Sequence, residues 1–242
     1  MNTASKVTLV PCVLAIAAAL SLALGMFGRP PPPEKKLDLR LVTWVRVPNA
    51  SYSIAATETT VAQFRACVEA GACDVAQVEP ICNYGKTDRE QHPLNCVTHY
   101  GAEEFCTFAG GRLCSEVEWI AACAGPEGRG FPYGNDFDIT ACNVQSNTQK
   151  VEGRERSTAP VATFPRCEGG LPGLFDMNGN VSEWVSDCKK TYCRFRGAGF
   201  ITNDPVDMFA SCGNACSGNQ KTLKSNTVGF RCCKDNPPEK PK

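Results

Sequence analysis

The alternation of apolar and polar residues is informative over the first half of the chain and fades in the second. "RLVTWVRVP", Arg40–Pro48, alternates with period two, the pattern of a half-buried strand. In "TTVAQFRACVEAG" the residues Val61, Phe64 and Val68 share one helical face, and Thr60 with Gln63 forms a capping box that marks the helix start. "LNCVTHYGAEEFCTFAGG" reads as a short strand followed by a helix from about Tyr100, stopped by Gly110–Gly111. "SEVEWIAACAG" opens with a second capping box, Ser115 with Glu118, and Gly125 is its stop. Between Gly125 and Cys233 periodic segments are few and Gly, Asn, Pro and Asp are many. A long irregular region inside a folded domain needs fastening by disulfides or metal ions. The pattern therefore predicts one compact α+β domain over about residues 38–235, low in regular structure and without internal repeats.

The ends have a different character. Val7–Phe27 carries no charge and follows Lys6. About 20 apolar residues can span a bilayer as a helix, whereas a cleaved signal peptide has a shorter apolar core of about 7–15. Residues 1–27 are thus read as a membrane anchor helix or a signal peptide, and both export the chain. Residues 28–37, with "GRPPPPEKK", form a Pro-rich stalk. The Pro- and Lys-rich tail, residues 236–242, is expected to be disordered.

The formal net charge is zero and no basic block runs through the body, which excludes nucleic acid as a partner and leaves the N-terminal helix as the only membrane contact. Sixteen cysteines are present, fifteen of them beyond the apolar segment. In an oxidising compartment that density implies a disulfide framework. Zinc would need paired C-x2-C spacings, and none occurs; only His92 and His99 are available as histidine ligands. Because fifteen is odd, one thiol is free, pairs between chains, or does chemistry.

One stretch, "GLFDMNGNVSEWVSDC" (Gly173–Cys188), crowds Asp176, Asn178, Asn180 and Glu183 beside Trp184. It belongs to a series of ordered blocks: "HPLNCVTHYGAEEFCTFAGGRLCSEVEWIAACAG", then "FPYGN", "ACNV" and "TAPVATFP", then "GLFDMNGNVSEW", "FRGAGF" and "GFRCC". Together these resemble the formylglycine-generating enzyme, or sulfatase-modifying factor, family over nearly all of residues 40–235, in a Cys-rich form similar to secreted bacterial members. The resemblance implies an irregular, disulfide-rich α+β fold related to C-type lectins.

It also implies calcium. By position, Asp176 and Glu183 would supply carboxylates and Gly179 and Val181 carbonyl oxygens, a set suited to a hard cation. A second family site would fall on Asn143 and Val144, without a clear acidic partner at Glu152 or Glu155. A family disulfide would join Cys106 to Cys212. Family enzymes oxidise cysteines of client sulfatases to formylglycine with oxygen and copper(I) held by two cysteines, since soft thiolates suit that ion. Here Thr202 and Asp207 stand at those two positions and Gly199 at the family serine. The copper pair is therefore absent, unless Cys212 and Cys216 form a displaced one. The histidine-rich iron chemistry of related branches is excluded by the count of two His. Trp119 and Trp184 are expected as core anchors, and Arg196 and Arg231 as surface salt bridges flanking the groove. The implied function is an exported module binding a peptide, protein or glycan in the family groove. The rival is an oxygen-dependent formylglycine-generating oxidoreductase acting on client cysteines.

Overall fold

A computed structural model of the chain describes residues 41–213 and 217–238. The apolar segment, the stalk, Cys216 and the end of the tail lie outside these residues. Leu37–Lys242 forms one compact unit. Among the described residues no helix is long and apolar enough to cross a membrane.

Both capping boxes form. Thr60 caps α1 (Val61–Glu69) and Ser115 caps α3 (Glu116–Ala124), each with reciprocal side-chain bonds at the third position. Gly125 ends α3 with φ +63°, and a Cβ there would lie 2.2 Å from the Gly170 carbonyl oxygen. Both facts demand glycine. Helix α2 (His99–Phe108) begins at the Thr98 cap, close to the expected start.

The strand expected before α2 does not form. Leu94 donates to the Thr59 carbonyl and Cys96 to the Ser225 carbonyl, so neighbouring residues bond to different segments instead of one ladder. Cys96 also adopts φ +55°, which breaks extension. Strand β1 (Trp44–Arg46) falls within the segment read as a strand.

Two four-stranded sheets carry the domain. The first has the order β1, β2 (Tyr52–Ala55), β8 (Cys232–Asp235), β3 (Arg112–Leu113). The second runs β6 (Ser217–Gln220), β5 (Tyr192–Arg196), β4 (Ser182–Lys189), β7 (Val228–Phe230). β7 pairs in parallel with β4, and after the single residue Arg231 the chain enters the other sheet as β8. Phe64, Phe105, Phe230 and Trp184 fill one apolar cluster; Ile54, Leu174, Met177 and Trp119 fill a second. Trp119 and Trp184 are each 1% exposed and anchor the core as expected.

Among the described residues seven disulfides fasten the irregular remainder: Cys67–Cys73, Cys82–Cys96, Cys106–Cys232, Cys114–Cys233, Cys123–Cys212, Cys142–Cys167 and Cys188–Cys193. The expected Cys106–Cys212 bridge is therefore wrong. Cys106 on α2 faces the start of β8 and takes Cys232, while Cys212 is tied to the end of α3 through Cys123. Adjacent cysteines on a strand point to opposite faces; Cys232 thus reaches α2 while Cys233 reaches Cys114. That alternation, invisible without the strand, decided the pairing.

Candidate functional site

Two features meet at the "DMNGN" turn: a buried corner of charged groups, and a groove beyond it. In the corner Asp176 (φ +54°) and Asn180 (φ +61°) take left-handed backbone, which short polar side chains tolerate. Glu183 on β4 meets Arg231 through two bonds of 2.7 Å, and Trp119 Nε1 donates to the same carboxylate at 2.7 Å. Arg231 also donates to the carbonyls of Ala55, Phe175 and Asp176. Standing where the chain leaves one sheet for the other, it ties the two together. Arg231 is fully buried and Arg196 is 7% exposed, paired with Glu116, so neither forms the surface salt bridge expected.

A third carboxyl, Glu58, was not anticipated. It is buried just before α1 and accepts from Asn180 Nδ2 at 2.8 Å and the Val181 amide at 2.9 Å. Burial first, then the neighbouring Asp176 and Glu183, pushes Glu58 well above the ordinary carboxyl range. Asp176 is 2% exposed, accepts from the Ala162 amide, and is pushed up to about 6, chiefly by burial. The only local sequence signal for Glu58 was its place two residues before the capping Thr60.

Tested against this geometry, the residues do not fit the calcium expected at Asp176, Gly179, Val181 and Glu183. The Glu183 carboxylate is engaged by N–H donors, the Asp176 carbonyl by a guanidinium, and that guanidinium occupies the role of the cation. The turn's buried amide without a protein partner, Asn178, pairs a donor with an acceptor and is no carboxylate; nothing in the structure explains it. At the second position Asn143 is buried and donates to the Ser157 carbonyl and Asn180 Oδ1, while Gln145 donates to the Glu155 carbonyl. Val144 packs with Phe131 and Ala198, and both Glu152 and Glu155 are exposed. Here too N–H groups supply the positive poles.

The groove is a cavity of about 320 Å³ bordered by Ser182, Phe195, Gly199, Thr202, Asn203 and Phe209. Thr202 lies in it, and Asp207 is exposed on the short helix α4 (Val206–Ala210). Among the described residues no Cys, His, Asp, Glu, Lys or Arg lines the cavity. Gly199 has a physical reason: a Cβ there would lie 2.9 Å from both Cβ and the carbonyl oxygen of Thr227. The position of the family serine is closed by a neighbouring segment. Cys212 is buried in its bridge to Cys123, and Cys216 lies outside the described residues. A larger and more open cleft of about 820 Å³, with the Asp138–Arg166 ion pair at its edge, shares the 147–150 loop with the groove.

Comparison with known proteins agrees with this fold. The model of the sulfatase-modifying factor enzyme 1-like domain matches residues 34–236. The chain belongs to that family. Within the sulfatase-modifying factor family it is 30% identical over 169 residues to the formylglycine-generating enzyme of Bos taurus, covering 53% of this chain and 44% of that protein. It is equally 30% identical, over 158 residues, to inactive C-alpha-formylglycine-generating enzyme 2 of the same organism, covering 61% and 52%. A serine/threonine-protein kinase Pkn1 of Chlamydia trachomatis is 31% identical over 163 residues, 60% of this chain but 24% of that one. The chain thus spans about half or less of the length of these curated relatives. Among solved structures, PvdO from Pseudomonas aeruginosa superposes with a TM-score of 0.60 at 20% identity, covering 76% of this chain and 80% of that one. CarF gives 0.59 at 22%, covering 76% and 86%. These two establish the fold alone.

Proposed function

We propose that this sulfatase-modifying factor domain is an exported recognition module that holds a peptide or glycan in the groove at Thr202 without converting it. The observation that carries the reading is the groove's lining, which among the described residues offers hydroxyls, amides and aromatic rings but neither a thiolate for copper(I) nor a titratable group for proton transfer. Phe195 and Phe209 supply apolar walls, and Ser182, Thr202 and Asn203 supply uncharged hydrogen-bonding partners. The buried charges nearby are engaged with one another in the corner, where Arg231 replaces a metal ion as the counter-charge. Seven disulfides fit an oxidising, extracytoplasmic setting, with the apolar segment Val7–Phe27 as the export signal or tether.

The rival reading requires Cys212 and Cys216 to hold copper, which first requires the Cys123–Cys212 bridge to be broken. One experiment separates the two. The purified chain is incubated with copper(I), oxygen and a peptide containing Cys-x-Pro-x-Arg, and the peptide is weighed. No mass change is expected; loss of mass matching thiol-to-aldehyde conversion overturns the reading. In parallel, peptide and glycan arrays are probed with the wild type and with Thr202→Trp, which fills the cavity. Array signals should disappear in the variant, and signals that persist unchanged place recognition elsewhere.

A further inference from the structure

Away from the groove, the β4–β5 hairpin carries a sulfur pair unlike the other six. Cys188 and Cys193 stand directly opposite one another in the ladder. Among the described cysteines Cys188 alone is exposed; the other thirteen, Cys193 included, are buried. Behind the pair lies His99, fully buried at the first position of α2. Its Nε2 is 3.5 Å from Cys188 Sγ and 3.1 Å from the Val185 carbonyl oxygen. One ring nitrogen of His99 and both sulfurs lie within 4.8 Å of one another. As bridged sulfurs they are poor metal ligands, so the cluster is not a metal site. On the far side of the ring, Nδ1 is 3.4 Å from a carboxylate oxygen of Glu103, one turn on in α2, near enough to pair as ions though without good hydrogen-bond geometry.

Acceptor oxygens face both ring nitrogens. A neutral ring with hydrogen on Nε2 satisfies Val185 but turns a lone pair toward Glu103. The other tautomer satisfies Glu103 but turns a lone pair toward the Val185 carbonyl. Only the imidazolium donates at both ends. The groups facing it are Glu103 from its own helix, Cys188 from β4 and Lys221 beyond β6; burial lowers its proton affinity and Glu103 raises it. In the oxidised protein burial, helped by Lys221, outweighs Glu103 and the Val185 carbonyl, so the proton affinity of His99 is lowered. A thiolate at Cys188 would add a second negative charge 3.5 Å away, at the distance where such a pair lowers a thiol's pKa strongly.

We propose that Cys188–Cys193 is a thiol-exchanging disulfide, with Cys188 the attacked and attacking sulfur, His99 the group that holds its thiolate, and Glu103 a positioning residue for His99. The co-reactant is a thiol of a peptide or protein. Its thiolate attacks Cys188 Sγ, the Cys188–Cys193 bond breaks, and the electron pair and a proton go to Cys193. A second substrate thiolate then attacks the substrate sulfur of the mixed disulfide and releases Cys188 as a thiolate against the imidazolium. Two substrate thiols become one disulfide; two electrons pass to the cysteine pair, one proton to Cys193 and the other to His99, which becomes the imidazolium facing the Cys188 thiolate; the reverse sequence reduces a substrate disulfide. Exposed Tyr100, next to His99, and Tyr192, next to Cys193, flank the approach with aromatic surface a peptide can lie on.

The full chain is equilibrated in glutathione buffers of increasing reducing strength, alkylated, and mapped by mass spectrometry. Cys188 and Cys193 should open while the other six bridges remain closed. Exposure alone would also give that order, so the second readout decides. In the selectively reduced protein the rate of Cys188 alkylation by iodoacetamide is followed against pH. Its half-point should lie at about 7 or below, against about 8.5 for an ordinary thiol. Glu103→Gln, at a half-exposed side chain that leaves the core intact, should raise the half-point and slow alkylation at pH 6 by about threefold or more; His99→Gln should slow it by about tenfold or more, one pKa unit being a factor of ten. A wild-type half-point near 8.5, or a half-point unmoved in Glu103→Gln, overturns the proposal and leaves a structural bridge that happens to be exposed.

Discussion

Replacing Asp176 by Asn asks whether the buried corner is held by Arg231 or by a metal ion. Asp176 lies among Glu58, Glu183 and Arg231, so three carboxyls share one guanidinium. Its pKa rises from 3.8 to about 6 on folding. For an acid with a raised folded-state pKa, the folded form binds the proton more tightly than the unfolded chain. The associated stability is fully present below about pH 3.8 and is lost as pH rises through about 6. The two-unit rise corresponds to ~3 kcal/mol at about 1.4 kcal/mol per unit, an order-of-magnitude figure. Asn keeps an oxygen for the Ala162 amide, tolerates φ +54°, and never ionises. Asp176→Asn should therefore be more stable than the wild type at pH 7.5, by roughly 1–3 kcal/mol. At about 2–4 °C per kcal/mol for a domain of this size, Tm rises by roughly 2–12 °C. The advantage should shrink toward zero near pH 4. Calorimetric melting of both proteins at pH 4 and 7.5, with and without a calcium chelator, reads all of this. A lower Tm for the variant at pH 7.5, or a wild-type Tm that falls on chelation, would refute the reasoning and restore a cation to the corner.

Two further outcomes follow from the same geometry. Arg231→Met removes the only cation from among three buried carboxyls and should cost about 3–5 kcal/mol at neutral pH, seen in denaturant melts, with partial recovery in acid as the carboxyls protonate. Gly199→Ser restores the family serine in a place Thr227 already fills, including its backbone oxygen at 2.9 Å from the new Cβ. Overpacking of about 1–3 kcal/mol is expected, with no gain of oxidase activity; a variant as stable as the wild type would show that the groove floor yields.

How much of this was legible beforehand differs from residue to residue. The capping boxes at Thr60 and Ser115 were readable because a cap is a contact between residues three apart. The Gly125 stop was readable because a left-handed terminus selects for glycine locally. Trp119 and Trp184 could be assigned to the core as large apolar anchors. Arg231 was misread because, in sequence, it is one basic residue beside "CC", and only the chain's passage from β7 to β8 drives it inward against Glu183. Glu58 and Gln145 were missed for the same reason: nothing local marks a buried polar residue whose partners lie 123 and 10 residues away.

By itself, then, the sequence determined the family, the α+β class and the reliance on disulfides, since each is carried by residue identity at short range or by the order of motifs. Only the tertiary structure decided which cysteine meets which, that Arg231 stands as the counter-charge of a buried carboxyl cluster, and that His99 lies behind Cys188, the one exposed cysteine among the described residues. These depend on which faces of strands and helices are brought together across separations of tens of residues or more, and such distances are set by packing, not by any local pattern.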